Sequence, residues 1–474
     1  MTSGSVLSTS GIATSSGAHG ESEPGAAFEL LEDDSGFGEL SAAPGAKLRV
    51  LFIQTATWTG SGLAVQADLM KFFDHSRVEA HVAYNTLVPR PAARSREPWD
   101  EGYRPGTSVQ GVLQAIPGVR LRPTEFGPHV TGVPKLRLAS EVGLSIPRLI
   151  RDSIGLVRYI RRNRIDVIHA GEQAKAALYG WWLARAAGAK CVIHMHVKYD
   201  DWISPLTRWA MRHADAVVGV SEWCSAETKR AGVPSQRIFT VHNGMDMAGW
   251  DPVAVDGDVV RQEFGVGPDC TLLVAMGALR PWKGHVTLLN ALQRVVSTHR
   301  NVKLLIVGTE DRLTGPRPDS YTEELKRLVA SSGLSEHVIF AGLRRDVREI
   351  HAAADIFALP TYEEPFGLVF LEAMAMATPV VAVASGGVPE VVEHGKTGLL
   401  APPADSEQFA RHIITLLDDP ARAREMGDNG RRRLLGCFTA QTMAQGFEQL
   451  YATLAQHSDV IHEPVPRDDV AGEA

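Results

Sequence analysis

The sequence predicts an α/β protein made of two doubly wound parallel sheets in tandem, facing each other across a cleft. Three observations carry this prediction. Apolar runs of five to seven residues alternate with amphipathic stretches from 48 to 246, the rhythm of strands crossed by helices. The alternation pauses in a polar, Pro- and Asp-containing link at 250–258, then restarts at Cys270 with the same rhythm. Several of the runs end in Gly-rich turns, and open α/β sheets bind ligands beyond the carboxyl ends of their strands.

Taken in order, residues 1–46 are rich in Ser, Gly, Ala and acids and carry seven acids with no Lys or Arg. Such a segment cannot bury enough surface to offset its ordering entropy, so a disordered acidic tail is expected. Residues 47–250 should form the first Rossmann-like unit. LRVLFIQT (48–55) reads as a buried parallel strand. Gly60-Ser-Gly62 and an amphipathic stretch follow it, and a strand, Gly-rich turn and helix in that order bring backbone N–H groups to an anion. A second strand is expected at 78–85, and a long Pro-, Arg- and Gly-rich irregular insertion at 86–117. A helix around 141–163 carries Arg148, Arg151, Arg158, Arg161 and Arg162. It is either a solvated face over a sheet or a helix able to lie on an anionic membrane. Strands at 166–170, 190–196 and 215–221 alternate with helices at 173–187, 204–213 and up to 231, and 237–246 closes the series.

Residues 251–440 should form the second unit, with strands at 270–279, 302–309, 337–343 and 355–360. The first has a helix after Gly284, an irregular insertion is expected at 310–320, and a helix at 321–332 follows. A short helix ending at 354 precedes the fourth strand, and a helix at 405–418 comes after it. A C-terminal helix at 441–457 and a disordered tail at 458–474 complete the expectation.

Charge is unevenly spread. The total is −7, the segments 1–46 and 458–474 carry −7 and −4, and the body between them is left at +4. A mildly basic body suits an anionic ligand and argues little for nucleic acid. Four scattered cysteines without a CxxC pair point to reduced, mostly buried thiols and a cytoplasmic protein. The N-terminus lacks the basic and apolar regions of a signal peptide. No apolar run approaches the roughly 18 residues of a membrane span, so peripheral contact with the inner face of a membrane is the one membrane association left open.

The chemistry concentrates at 360–405. The strand ending at Pro360 delivers Thr361-Tyr362-Glu363-Glu364 to the cleft, and Pro365-Phe366-Gly367 turns the chain into a helix stopped by Thr378-Pro379. The N–H groups of Gly367, Leu368 and Val369 then lack helical partners and form a phosphate site, and Phe366 beside them is expected among the donor-binding residues. Glu364 can accept hydrogen bonds from sugar hydroxyls, and Glu372, further along the same helix, from a ribose diol. The bland alternative makes Glu372 a carboxylate capping a neighbouring turn.

The run from Glu364 through PFGLVFL to Glu372, G-G-x-x-E at 386–390 and G-x-x-G-L-L at 395–400 resemble the retaining, GT-B-fold glycosyltransferases of family 4, the group 1 glycosyltransferases. The resemblance covers most of 47–457. The family motif G-R-L-x-x-x-K-G reads Gly277-Ala278-Leu279-Arg280-Pro281-Trp282-Lys283-Gly284. Lys283 holds the place of the lysine that neutralises the diphosphate, Ala278 replaces the expected Arg, and Arg280 is a candidate substitute. The resemblance further implies a nucleobase pocket lined by Leu343 and Arg344 after Gly342, and His196 beside the donor sugar, with His194 a weaker candidate. It places Gly60 and Gly62 near the phosphates and an interdomain turn at Asn243-Gly244-x-Asp246.

The activity implied is retaining transfer of a hexosyl unit from a UDP- or GDP-sugar to a glycan, lipid or small-molecule acceptor hydroxyl, with catalytic His196, Lys283 and Glu364. No Asp-x-Asp motif occurs in the cleft segments, so neither metal nor cofactor is expected. The alternatives are a sugar-nucleotide epimerase on the same fold and a non-catalytic nucleotide-sugar-binding protein, which Ala278 favours.

Overall fold

The computed structural model describes residues 47–56, 61–86, 108–127, 135–171, 173–199, 203–310 and 320–456. The acidic tails, Gly60, and most of the insertions at 86–117 and 310–320 lie outside them. The first sheet holds β1 (Leu48–Gln54), β2 (Val78–Asn85), β3 (Arg120–Thr124), β4 (Val167–Gly171), β5 (Lys190–Met195), β6 (Ala216–Gly219) and β7 (Ile238–Thr240). All seven strands pair in parallel in the order β3-β2-β1-β4-β5-β6-β7. Alternate residues point to opposite faces, as a strand requires. Val50, Phe52, Val167, Val192 and Val218 enter one core, under the helices Ser61–Lys71, Val109–Gln114 and Ala440–Gln456. Leu51, Ile53, Ile168, Ile193 and Val217 enter the other, under Lys135–Arg162, Ala174–Ala187 and Pro205–His213.

The second sheet holds β8 (Thr271–Met276), β9 (Val302–Val307), β10 (Val338–Gly342), β11 (Ile356–Leu359), β12 (Val380–Val383) and β13 (Gly398–Ala401). Its order, β10-β9-β8-β11-β12-β13, is again wholly parallel. In both sheets the order reverses beside the first strand, and a switch point of this kind opens a crevice at the strands' carboxyl ends. The two-sheet expectation holds, and the fold is GT-B.

Several elements depart from the sequence reading. The stretch at 86–117 is not irregular throughout, because Ser108 accepts a hydrogen bond from the Gly111 N–H and starts the helix Val109–Gln114. The edge strand β3 and the 18-residue helix Pro420–Cys437 were not anticipated. That helix carries Gly427 and Gly430, which read as breakers. A Cβ at Gly427 would sit 1.9 Å from the Ala377 carbonyl oxygen, so the glycine lets the helix lie directly on the 377–379 turn. The strand expected at 237–246 is only β7, and the chain from Val241 is occupied elsewhere: Met245 pairs with Thr439. All four cysteines are free thiols, and all but Cys437 are buried.

Candidate active site

The strand β11 ends at Leu359, and Thr361 follows it with no exposure to solvent. The Thr361 hydroxyl donates to Glu364 Oε2 at 3.0 Å. Lys283 Nζ donates to the same oxygen at 2.5 Å, with both side chains mostly buried. Gly284 makes that meeting possible. It adopts φ 72°, and a Cβ there would lie 2.0 Å from the Pro360 carbonyl oxygen, so only glycine lets the 281–284 turn close onto the end of β11. Tyr362 clamps the turn from the other side, through its N–H to Trp282 O and its hydroxyl against Thr287.

Past Glu364 the chain enters the helix Leu368–Ala375, whose N-cap is Gly367 in the left-handed region with no side-chain cap. The helix N-terminus therefore opens beside the Lys283–Glu364 pair, with its partial positive charge facing that corner. Glu372 lies on this helix, half-buried, with Oε2 3.5 Å from Nε2 of the fully buried His351. The Gly386-Gly387 turn backs the loop, the Gly387 N–H donating to Glu364 O and the Ser385 hydroxyl accepting from the Glu363 N–H.

The N-terminal unit meets this loop at two points and the helix Val388–Val391 behind it at a third. Lys198, just past β5, donates to Glu363 Oε1 at 2.6 Å. The Ser221 hydroxyl donates to Pro365 O at 2.6 Å. Glu390 accepts from the N–H groups of Glu222 and Trp223 and lies 2.9 Å from His242 Nε2, and these partners hold its carboxyl below the usual range against the opposing effect of burial. Lys198 and Ser221 were not singled out from sequence. Their signal is positional: each stands directly after a strand of the first sheet.

His196 follows β5, its ring centroid 4.0 Å from that of His194. His194 is fully buried, and desolvation first, then neighbouring imidazoles, push it well below its ordinary value. Its ring lies between His169 and Phe447, which makes it a packing residue of the core.

The side chains of three candidates are engaged by other parts of the protein. The Phe366 ring is a core side chain, 2 % exposed and packed against His242 and Phe438, so it offers no surface to a donor. The Arg344 guanidinium is held by both Glu263 oxygens, at 2.5 and 2.6 Å, and by Asp346. Leu368 packs against both the second-sheet core and the core under the C-terminal helix. Leu343 is more than half exposed after β10, Val369 is half-buried in the first helical turn, and Arg280 stacks over the Trp282 ring at 5.0 Å. Gly62 lies in the first turn of Ser61–Lys71, where an added Cβ would meet nothing within 4 Å among the described residues.

Two family models match the chain, glycosyl transferases group 1 over residues 258–433 and glycosyltransferase family 4 over residues 112–248. A GDP-mannose-dependent alpha-(1-6)-phosphatidylinositol monomannoside mannosyltransferase of Mycolicibacterium smegmatis is 34 % identical over 291 residues, 58 % of this chain and 73 % of its own length. The chain belongs to the group 1 glycosyltransferases. An N-acetyl-alpha-D-glucosaminyl L-malate synthase of Bacillus anthracis is 28 % identical over 301 residues, 61 % of this glycosyltransferase and 75 % of the synthase. Among solved structures, HepE of Anabaena in complex with UDP and glucose shares the fold at TM-score 0.65 and 24 % identity, covering 86 % of this chain and 99 % of HepE. Sucrose-phosphate synthase of Thermosynechococcus elongatus shares it at TM-score 0.66 and 22 % identity, covering 87 % and 100 %. The protein is thus a glycosyltransferase using a sugar-nucleotide donor.

Proposed function

We propose that this glycosyltransferase moves a hexosyl unit from a UDP- or GDP-sugar to an acceptor hydroxyl with retention, without a metal ion. The observation that carries the reading is the Lys283–Glu364 pair at the open N-terminus of the helix Leu368–Ala375. A donor diphosphate against that terminus receives the N–H groups of Leu368 and Val369 and the Lys283 ammonium, and the negative charge that grows on it as the sugar leaves is stabilised where it forms. Glu364 accepts from the sugar hydroxyls while Lys283 offsets its charge, so carboxylate and phosphate can share the corner. Glu372 takes the ribose diol. His196 lies beside the sugar, and Arg280 supplies the second cation in place of Ala278.

In the reaction the bond from the anomeric carbon to the diphosphate oxygen breaks and the bond to the acceptor oxygen forms on the same face. The acceptor proton passes to the departing phosphate oxygen. Relatives name both GDP-mannose and N-acetylglucosaminyl chemistry, which keeps the base and the sugar open between those classes.

The test is release of free nucleotide from a panel of UDP-, GDP- and ADP-sugars with acceptors, with chelator present throughout and product anomers assigned by NMR. Glu364→Ala should lower kcat/KM by about a thousandfold, the scale of losing one transition-state contact in a dry site. Unchanged turnover in that variant would show the sugar grip to be elsewhere, and an inverted product would exclude same-face transfer.

A further inference from the structure

One layer of helices on the first sheet has an outer surface that the donor site does not use. The helices Lys135–Arg162, Ala174–Ala187 and Pro205–His213 cover a single core, anchored by Leu156 and Ile160, by Leu183 and Ala184, and by Ala210 and Met211. Of the twelve exposed large apolar side chains among the described residues, six lie on the outside of this one layer: Ile146, Ile150, Ile154, Trp182, Leu206 and Trp209. Ile146, Ile150 and Ile154 recur every four residues, which stacks them along one side of their helix. Soluble surfaces scatter such residues singly, and gathering them marks an interaction face.

The charge on the same layer has one sign. Its described side chains include Arg148, Arg151, Arg158, Arg161, Arg162, Lys175, Arg185, Arg208 and Arg212, against the single acid Asp152. A protein partner would need a large acidic and apolar face to match this. A bilayer of anionic lipid supplies both components over any area, with apolar and indole side chains seated at the headgroup boundary and guanidinium groups on the phosphates. Orientation fits as well. The helix Ala174–Ala187 begins just after the carboxyl end of β4, Pro205–His213 is the helix that follows β5 in the chain, and Lys135–Arg162 runs towards the amino end of β4. Ile146, Ile150, Leu206 and Trp209 therefore sit towards the cleft end of the layer. Among the described residues no helix is long and apolar enough to cross a membrane, so the contact is one of lying on a surface.

We propose that this three-helix face docks the enzyme on an anionic lipid surface, with the cleft mouth turned towards the headgroups. The inference is independent of the roles assigned at the donor site. The test is co-sedimentation of the full chain with vesicles of phosphatidylcholine alone or mixed with phosphatidylglycerol. Binding should require phosphatidylglycerol and fall away at about 1 M salt, where the screening length shrinks to about 3 Å.

Arg148→Gln/Arg151→Gln/Arg158→Gln should weaken binding about a hundredfold, from about fivefold for each cation lost near the surface. Ile150→Ser/Ile154→Ser/Leu206→Ser, at positions already about half exposed, should weaken it at least tenfold while leaving circular dichroism unchanged. The proposal is overturned by no binding to anionic vesicles, by equal binding to neutral ones, or by binding that both variants retain. Self-association of the parent chain that the serine variant abolishes, without vesicle binding, would assign the face to a second copy instead.

Discussion

His351 has no solvent exposure, and neither ring nitrogen has a hydrogen-bond partner among the described residues. Its ring lies between Trp250 and Phe357, and its Nε2 faces Glu372 Oε2 at 3.5 Å. A buried imidazole in apolar company is costly unless a polar group uses it, and the only such group beside Nε2 in these contacts is the carboxylate proposed to take the donor ribose. His351 then acts as a positioning residue, limiting how Glu372 can turn. His351→Leu, close in volume, should raise KM for the donor about tenfold and leave kcat nearly unchanged, the pattern for binding lost equally from ground and transition states. His351→Asn should recover part of the loss. A fall in kcat at constant KM would remove Glu372 from the ribose. At this scale the sequence was legible where neighbours along the chain decide the outcome, as with Glu364 just before the helix Leu368–Ala375 and Glu372 upon it. It was not legible where a partner distant in sequence decides the outcome. Phe366 is withdrawn by Phe438, and Arg344 by Glu263.

The helix Ser61–Lys71 is tied to the Asn243–Asp246 turn by charge. Lys71 Nζ donates to Asp246 Oδ2 at 2.5 Å, and the Asp68 carboxyl feels the charges of both residues. Burial first, and the charge of Asp246 second, raise the Asp68 carboxyl to about 6. The folded chain thus holds this proton more tightly than the unfolded chain. The stabilisation is complete below the unfolded value near 3.8 and is lost as pH rises through about 6. Asp68→Asn keeps an acceptor oxygen and removes the ionisation, so thermal unfolding should show a flatter decline between about pH 4 and 6 and a higher Tm above it. A lower Tm at neutral pH would mean that attraction to Lys71 outweighs the burial. Elements written as short apolar runs, such as β4, β5 and β11, were legible in advance. The helix Pro420–Cys437 was not, because glycines that look like breakers are contact points for the 374–379 segment.

Across the whole molecule, the last helix reverses the order of the chain. After the second sheet is complete, Ala440–Gln456 returns to the first and packs Phe447, Leu450 and Tyr451 into the core beneath β1, β4 and β5. Tyr451 Oη is 2.6 Å from His169 Nδ1, and Glu448 accepts from the Asp74 N–H. The sequence indicates a helix here, yet nothing local to it says which sheet it covers, since its apolar stripe suits either core. Its position makes the first sheet incomplete without residues that follow the second, and this couples the two units in folding. Phe447→Ala should remove about 3–5 kcal/mol of packing from the first core alone. In calorimetry the parent chain should unfold in one transition, while the variant should show an earlier one assigned to the first sheet. Hydrogen exchange should then mark β4 and β5 as the strands that open first. If β8 and β11 lose protection to the same degree, the helix is fastening both sheets rather than completing one.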